Sequence, residues 1–181
     1  MCHLFIKFKN MSCPLASGFT RDCSDSIGGI EEVLISERDN VTAFTLANHE
    51  ITAITQAGAT NFYRYELKKE AGSLTSTSTI DSVGGTSFYD NVAAFTINKL
   101  AAAKSNEIKL MILARLFVIV KDNNGKYWSL GADAFAEGSS LIAQTGQAFG
   151  DANQYQIEIM DKSQYPCYEV QASVVAGLTI A

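Results

Sequence analysis

Cysteine and histidine are the residues of this chain that could bind a metal or act as a nucleophile and its base. They are Cys2, Cys13, Cys23, Cys167, His3 and His49. A zinc site needs close cysteine pairs, whereas these cysteines are separated by nine or ten residues and then by a long gap. A dyad of Cys23 or Cys167 with His49 has no local sequence signature to support it. The pattern favours free thiols and an exposed turn histidine.

Carboxylates and glycine pairs give equally weak signals. Asp22 with Asp25, or Asp133 with Asp151, lacks the spacing of a calcium loop, and the side chain of Asp151 is predicted to bond its own backbone in a turn. The glycine pair at 84–85 lacks the lysine of a phosphate loop, and the pair at 28–29 precedes a strand. Trp128 is typical of a core or interface anchor. We therefore predict no catalytic, cofactor-binding or metal-binding residues and no enzyme activity.

The composition limits the classes of protein to consider. The chain has 181 residues, which predicts one domain, and only 18 % of them are charged, so its surface suits coverage by neighbouring molecules. A formal net charge of -5 argues against a protein that binds nucleic acid by neutralising phosphates. The apolar run at the N-terminus is broken by Lys7 and Lys9, and no stretch is long enough to span a bilayer. These features predict a cytoplasmic protein without a membrane partner.

The clearest predicted element is a β-hairpin over residues 115–131. Two β-rich runs, RLFVIVK and KYWSLG, flank the turn DNNG, whose Asn-Gly pair tolerates positive φ. A helix is predicted at about 98–114, with Asn98 or Ser105 as its cap. Other runs that read as strands cover residues 30–36, 41–46, 51–55, 61–70, 88–97, 141–145, 155–160 and 168–175. The first three are so close together that we expect them to pair antiparallel.

Two segments lack a core of their own and read as arms. Residues 1–29 form an irregular N-terminal arm, which either packs on its own domain or a neighbouring subunit or stays a floppy terminus. Residues 74–80 are almost all Ser and Thr, which favour strand but cannot be held by burial. We predict a long hairpin arm at about 62–80 in preference to a disordered loop. Residues 30–181 then form a single, mainly β domain, an antiparallel β-sandwich or small barrel with one flanking α-helix.

Three segments carry a resemblance to a known family. They are residues 22–30 (DCSDSIGGI), 122–131 (DNNGKYWSLG) and 145–155 (TGQAFGDANQY), the last followed by Pro166. With the order of strands and helix, the sequence resembles the tail tube (major tail) proteins of tailed phages of Bacteroidetes-type bacteria. That family is related in fold to the tube proteins of contractile injection systems and type VI secretion.

The resemblance implies a structural virion protein that self-assembles into hexameric rings, stacked as a hollow tube for DNA ejection. It implies assembly in the host cytoplasm, contact with sheath or terminator and baseplate proteins, and a lumen that DNA crosses without sequence-specific binding. One alternative is another virion component: a head decoration, a connector or a tail completion protein. A second is a small ligand-binding or enzymatic β domain, which needs a pocket with convergent polar groups.

Overall fold

The structure is a computed structural model that describes residues 17–21 and 24–181. Within these ranges the helices are α1 (Ala102–Leu113) and α2 (Ala172–Ala176), and a short 3-10 helix covers Arg38–Asn40. The strands are β1 (Ile30–Glu37), β2 (Val41–Ala47), β3 (Glu50–Gln56), β4 (Tyr63–Glu66), β5 (Gly72–Asp81), β6 (Thr86–Asn98), β7 (Leu116–Asp122), β8 (Tyr127–Leu130), β9 (Glu137–Gln144), β10 (Gln154–Ser163) and β11 (Tyr168–Val170). Neither described helix is long and apolar enough to cross a membrane.

The strands form two sheets that pack as a β-sandwich with α1 on its flank, which confirms the predicted fold class. The larger sheet has seven strands in the order β2-β3-β11-β8-β7-β1-β4. The smaller sheet has four, in the order β5-β6-β10-β9. All of the pairings between these strands are antiparallel except that of β3 with β11, which is parallel, as is the isolated bridge between Phe62 and Ile180. The fold is therefore mainly antiparallel, as short connections require.

The central strands β1 and β7 are buried on both faces, which explains why their sequences run apolar without alternation. One face packs on the smaller sheet and α1, and its buried side chains include Val33, Ile35, Val118, Val120, Phe95, Ile157 and Ile108. On the opposite face, the buried side chains of β1 and β7 form a second apolar cluster with residues of β3, β11 and α2; its members include Leu34, Phe117, Ile119, Ile51, Val170 and Val175. Two apolar layers on either side of β1 and β7 thus hold the domain together.

The hairpin of β7 and β8 confirms the prediction for residues 115–131. Gly125 has φ +79°, the left-handed conformation that the turn needs. Asp122 fixes the turn, because its Oδ1 accepts the amide hydrogens of Asn124 at 2.8 Å and Lys126 at 2.9 Å. Its Oδ2 accepts the indole N–H of Trp128 at 3.1 Å, so one carboxylate links the turn to the following strand.

The expectation that the first three strand runs pair with one another is wrong for the first. Strand β2 pairs with β3 through a tight turn in which Asn48 and His49 both have positive φ, but β1 pairs with β4 and β7. The guanidinium of Arg38 donates hydrogen bonds to the carbonyls of Val41, Ala132 and Ala134. These bonds hold the segment between β1 and β2 against the chain that follows β8. Strand β2 therefore begins away from β1 and lies at the opposite edge of the larger sheet.

Three element boundaries also differ from the predictions. Helix α1 lies within the predicted range but begins after Ala101, with no side-chain cap from Asn98 or Ser105. Strand β9 begins at Glu137, four residues before the strand predicted at 141–145. The last predicted strand ends at Val170, because the chain then turns into α2 and places Val175 in the core. The predicted N-terminal arm lies largely outside the described residues, and Ser24–Gly29 carries no strand or helix.

Candidate assembly surface

The smaller sheet ends in two long strands whose outer edges are free. Strand β5 has ten residues and β9 has eight, and no other described strand pairs with the outer edge of either. Nearly all residues of both strands are exposed. An unpaired edge presents backbone N–H and C=O groups that another strand can bond. These two edges are therefore open sites for strand addition.

The predicted hairpin arm exists, but it consists of β5 and β6 rather than residues 62–80. Residue pairs run from Gly72 with Phe95 to Asp81 with Thr86, and β4 instead pairs with β1. A turn does occur where one was expected, since the Ala71 amide donates to the Lys68 carbonyl at 3.2 Å and Glu70 has φ +60°. That turn leads from the larger sheet to the smaller one. The disordered-loop alternative for residues 74–80 is wrong, because they form a paired strand.

The outer part of the arm is held by polar contacts rather than by apolar burial. Asn91 is the buried centre of this network. Its Oδ1 accepts the Ser76 hydroxyl at 2.5 Å, and its amide donates to Ser163 Oγ at 3.1 Å and to the Tyr165 carbonyl at 3.3 Å. Beyond this point residues 77–87 are exposed, and none of residues 77–90 belongs to either apolar core. The arm therefore projects from the domain without covering it.

The smaller sheet has one face on the core and one face open. The alternation of the strands places these charged side chains on the open face: Asp81, Asp90, Glu137, Glu158 and Lys162. Lys162 lies 3.5 Å from Asp90, so the one cationic group is already paired. Thr75, Thr77 and Thr79 add hydroxyls to the same face. The charged groups of the open face are therefore mostly acidic, although Phe88, Val92, Ala94, Ile142 and Met160 also lie on it. A net negative charge is unsuited to holding a polyanion.

Helix α1 carries apolar residues on its exposed sides. Ile108 and Met111 are buried, whereas Leu110 is 55 % exposed and Leu113 is 75 % exposed. A helix with apolar residues on several sides is usually covered on more than one of them. The exposed leucines were missed because the spacing of apolar residues did not select a single face.

Two further exposed apolar side chains lie at opposite ends of the smaller sheet. Val83 is 97 % exposed in the β5–β6 turn, and Phe149 is fully exposed in the loop between β9 and β10. Asp151 shapes that loop, since its Oδ2 accepts the amide hydrogens of Gln147 and Ala148 at 2.7 Å each, as the turn prediction for Asp151 expected. The same bonds lower the pKa of Asp151. Each end of the sheet thus presents one apolar contact point.

The thiol and imidazole candidates do not form an activated pair in the described part of the chain. His49 lies in the β2–β3 turn with its ring 4.5 Å from the ring of Tyr168. Burial, and secondarily the charge of Asp161, raises the pKa of the Cys167 thiol to about 12, so it stays protonated at neutral pH. The remaining candidates lie outside the described residues: Cys2, His3, Cys13, Asp22 and Cys23.

The carboxylate candidates have structural partners. Asp133 accepts the Tyr168 hydroxyl hydrogen, with its two oxygens 3.1 and 3.2 Å away, and does not join Asp151. Among residues 17–21 and 24–181, no three His, Cys, Asp or Glu side chains are grouped as a metal site. Asp25 is exposed, and Trp128 is half-buried against the core. Most of these side chains thus serve turns and packing.

An open hollow of about 560 Å³ lies between β4 and α1. Its walls are formed mainly by Tyr63, Tyr65, Leu110 and Met111, and its cation, Arg64, is paired with Glu32 at 3.5 Å. Burial raises the pKa of the Tyr65 hydroxyl, and the nearby Glu107 adds to the effect. A tyrosine that stays protonated and a paired arginine supply no reactive group. This hollow therefore adds no specific support for a catalytic function.

Asp161 carries an almost fully buried carboxyl group. It is 3 % exposed, its Oδ2 accepts the Gly131 amide hydrogen at 3.0 Å, and its Oδ1 has no hydrogen-bond partner among the described residues. Burial raises the pKa of this carboxyl, although the bond from Gly131 opposes the rise. A raised folded-state pKa favours the protonated form, so this contribution to stability is present at acid pH. It is lost as the pH rises from the unfolded pKa through the folded one.

The substitution Asp161→Asn should therefore change how stability depends on pH. The amide that replaces the carboxyl keeps an oxygen for Gly131 and carries no charge, so we expect the variant to gain about 1 kcal/mol over the wild type at pH 8. Near pH 4 the gain should be smaller. Urea unfolding of both proteins at the two pH values measures the difference. A gain that is equal at both pH values, or larger in acid, would contradict the assignment.

The chain matches no family model, no curated protein and no solved structure. The case for a function therefore rests on the geometry of the smaller sheet together with the sequence resemblance.

Proposed function

We propose that this chain is a structural subunit of a phage tail tube and that copies assemble edge to edge through the smaller sheet. The observation that carries the proposal is the pair of free edges, β5 and β9, on a sheet whose other face is open to solvent. A protein that works as a single domain normally protects long edges by shortening, charging or covering them. Here the edges are long, rich in uncharged Ser and Thr, and exposed.

The directions of the two edge strands suit a closed ring. Each neighbouring pair in the smaller sheet is antiparallel, so the two edge strands of a four-stranded sheet run in opposite directions. A rotation about a ring axis preserves strand direction. The β5 strand of the next copy would therefore meet β9 antiparallel, and the alternation would continue through every copy. Such a head-to-tail interface closes into a ring when the rotation divides the circle.

The lengths and faces of the edges also fit one register. Strand β9 alternates between the open and core faces except at Ser139, the extra residue of a bulge between Gly138 and Ser140. Residues 73–79 of β5 opposite residues 144–137 of β9 would pair open-face residues with open-face residues along the whole of β9. In this register Thr75 lies opposite Ile142, and Ser78 lies opposite Gly138. The continuous sheet would then keep its acidic, hydroxyl-rich face on one side.

This arrangement gives a lumen of a suitable size and charge. For the six copies that the resemblance implies, strands spaced about 4.8 Å apart and tilted about 40° make a barrel roughly 50 Å across at the backbone. That is wide enough for a DNA duplex. The carboxylates of the open face would line it, so DNA would pass without being held.

Stacking of rings would use the two ends of the sheet. The arm tip with Val83 and the loop with Phe149 lie at opposite ends, so a ring would present one on each of its faces. The outer surface, formed by the larger sheet and α1, would remain for sheath or terminator and baseplate proteins. The protein would then be located in the virion tail after assembly in the host cytoplasm.

Electron microscopy of the purified protein tests this proposal. We expect hollow filaments with a regular axial repeat at high protein concentration, because edge pairing and stacking both depend on mass action. Closed trimers or single rings that never stack would favour a head decoration or connector. Monomers under all concentrations and salt conditions would contradict the tube proposal.

A further inference from the structure

We infer that the exposed flank of α1 beside β9 is a seat for the arm of the next copy, with Ile80 packing on Leu113. The inference deepens the proposed assembly and rests on it. Edge pairing by itself uses only backbone groups, which give little specificity between strands. A side-chain seat next to the paired edges would fix which strands meet and in which register.

Helix α1 lies directly over the core face of β9. At its C-terminal end the backbone and side chain of Ile112 approach Gly138 so closely that a Cβ on Gly138 would lie 2.9 Å from the Ile112 Cα. At its N-terminal end the Ser105 hydroxyl bonds the Tyr155 hydroxyl at 2.5 Å, and Tyr155 pairs with Ala143 of β9. The helix thus runs along β9 from Ala143 to Gly138.

One flank of α1 lies on the β9 side of the helix and is exposed to solvent. Ser105 and Ile112 mark the side of the helix that contacts β9 and β10, and the helical period of 3.6 residues puts Ala102, Lys109 and Leu113 next to them, farther from the core. Leu113 is 75 % exposed. An open hollow of about 370 Å³ beside Ala102, Ser105 and Ala143 continues the same flank. This flank has no partner in the described part of the molecule.

Extension of the sheet across β9 would bring the arm of a second copy to this flank. The core-side residues of β5 are Leu74, Ser76, Ser78 and Ile80, since they alternate with the open-face threonines. With Ser78 opposite Gly138 and Thr79 opposite Glu137, Ile80 would lie two pairs further, opposite Ala136 and just past the start of β9, near the C-terminal end of α1. Ile80 is 74 % exposed and Leu113 75 %, and each would cover the other. The occupant of the flank is therefore a second copy of this chain.

Leu110, which lies on the β4 side of the exposed surface of α1, supplies the control. Leu110 is also exposed, but it faces β4 and lines the hollow there with Tyr63 and Tyr65. The substitution Leu110→Glu places the same charge on the same helix but leaves Leu113 unchanged. It thus separates an effect on assembly from an effect on the fold.

Introducing opposite charges at Ile80 and Leu113, singly and together, tests the inference. Ile80→Lys and Leu113→Glu should each raise the concentration needed for assembly by at least about tenfold, because each places a charged group against an apolar side chain. The double variant Ile80→Lys/Leu113→Glu places opposite charges together and should return that concentration to within about threefold of the wild type. Leu110→Glu should assemble like the wild type. Sedimentation of assembled material measures the threshold, and circular dichroism checks that each variant is folded.

The outcomes distinguish a failure of the proposed contact between Ile80 and Leu113 from a failure of the proposed assembly. If the wild type forms tubes and Leu113→Glu does so at the same concentration, the seat is wrong and edge pairing stands. A double variant no better than the worse single variant also overturns the seat. If the wild type never assembles, the proposed function fails and this inference fails with it.

Discussion

A variant with a shortened arm is expected to stay folded and to lose assembly completely. Residues 77–90 are deleted and Ser76 is joined to Asn91 by Asn-Gly, which is the preferred sequence for a two-residue hairpin turn. Ser76 and Asn91 are already cross-strand partners, and their hydrogen bond is kept. The deleted residues contribute nothing to either apolar core, so we expect the free energy of unfolding to change by about 1 kcal/mol or less.

Assembly should fail because the deletion removes three of the seven β5 residues that pair with β9 in the proposed register, and Ile80 with them. No filaments or rings should form even about 100-fold above the wild-type threshold, which corresponds to a loss of about 3 kcal/mol per interface. Electron microscopy and light scattering measure assembly, and thermal unfolding measures the fold.

The matched control shortens the same arm without touching the pairing segment. Residues 82–85 are replaced by Asn-Gly, which joins the partners Asp81 and Thr86 and keeps Ile80. This variant loses Val83, so lateral association should persist even if stacking is weakened. Normal tubes from the protein that lacks residues 77–90 would contradict the role of the arm in assembly.

The sequence predicted the fold class because the strongest local patterns were also the ones that the core uses. The apolar run of β7 and the turn after Asp122 are each determined by residues that are close together in the sequence. The long alternation of β10 likewise reflects one buried and one open face. Such local features can be recognised without knowing which strands are neighbours in the sheet.

Strand partners were harder to predict because a turn does not reveal whether its two strands pair. The turn near Glu70 is real, but it connects two sheets instead of closing a hairpin. The partner of β5 is decided by β6, whose Ala93 and Phe95 are anchored in the core. The contact that separates β1 from β2 depends on Arg38 and carbonyls at residues 132–134, which are far away in the sequence.

The composition of the sequence predicted that an arm exists, but it did not predict which strands would have free edges. A Ser- and Thr-rich segment that cannot build a core indicates an arm. Nothing local indicates that β9 is the second free edge, because its Glu-Gly-Ser-Ser start lacks apolar alternation. Gly138 is needed there because Ile112 crosses the strand at that point, and this contact exists only in the folded chain.

Gly131→Ala is expected to destabilise the fold far more than Gly125→Ala does. Gly131 has φ +77°, and a Cβ at this position would overlap the Leu116 carbonyl oxygen and lie 2.6 Å from the Ala136 amide nitrogen. The Ala136 amide donates a hydrogen bond to the Leu116 carbonyl, and the Leu116 amide donates one to the Ala136 carbonyl, each at 2.8 Å. This pair of bonds prevents the two backbone segments from moving apart freely. The Gly131 amide also holds Asp161. One methyl group would thus disturb a backbone bridge and a buried carboxylate together.

Gly125→Ala provides the matched comparison. Gly125 has nearly the same φ, +79°, but nothing lies within 4 Å of the position that a Cβ would take. Its substitution should cost only the left-handed strain, about 1 kcal/mol, whereas Gly131→Ala should cost about 3–5 kcal/mol and lower Tm by roughly 10 °C. Thermal and urea unfolding of the two variants measure the difference. Equal losses would mean that the backbone around Leu116 and Ala136 yields to the methyl group. In that case the bridge would not be the rigid element that fixes the hairpin to the core.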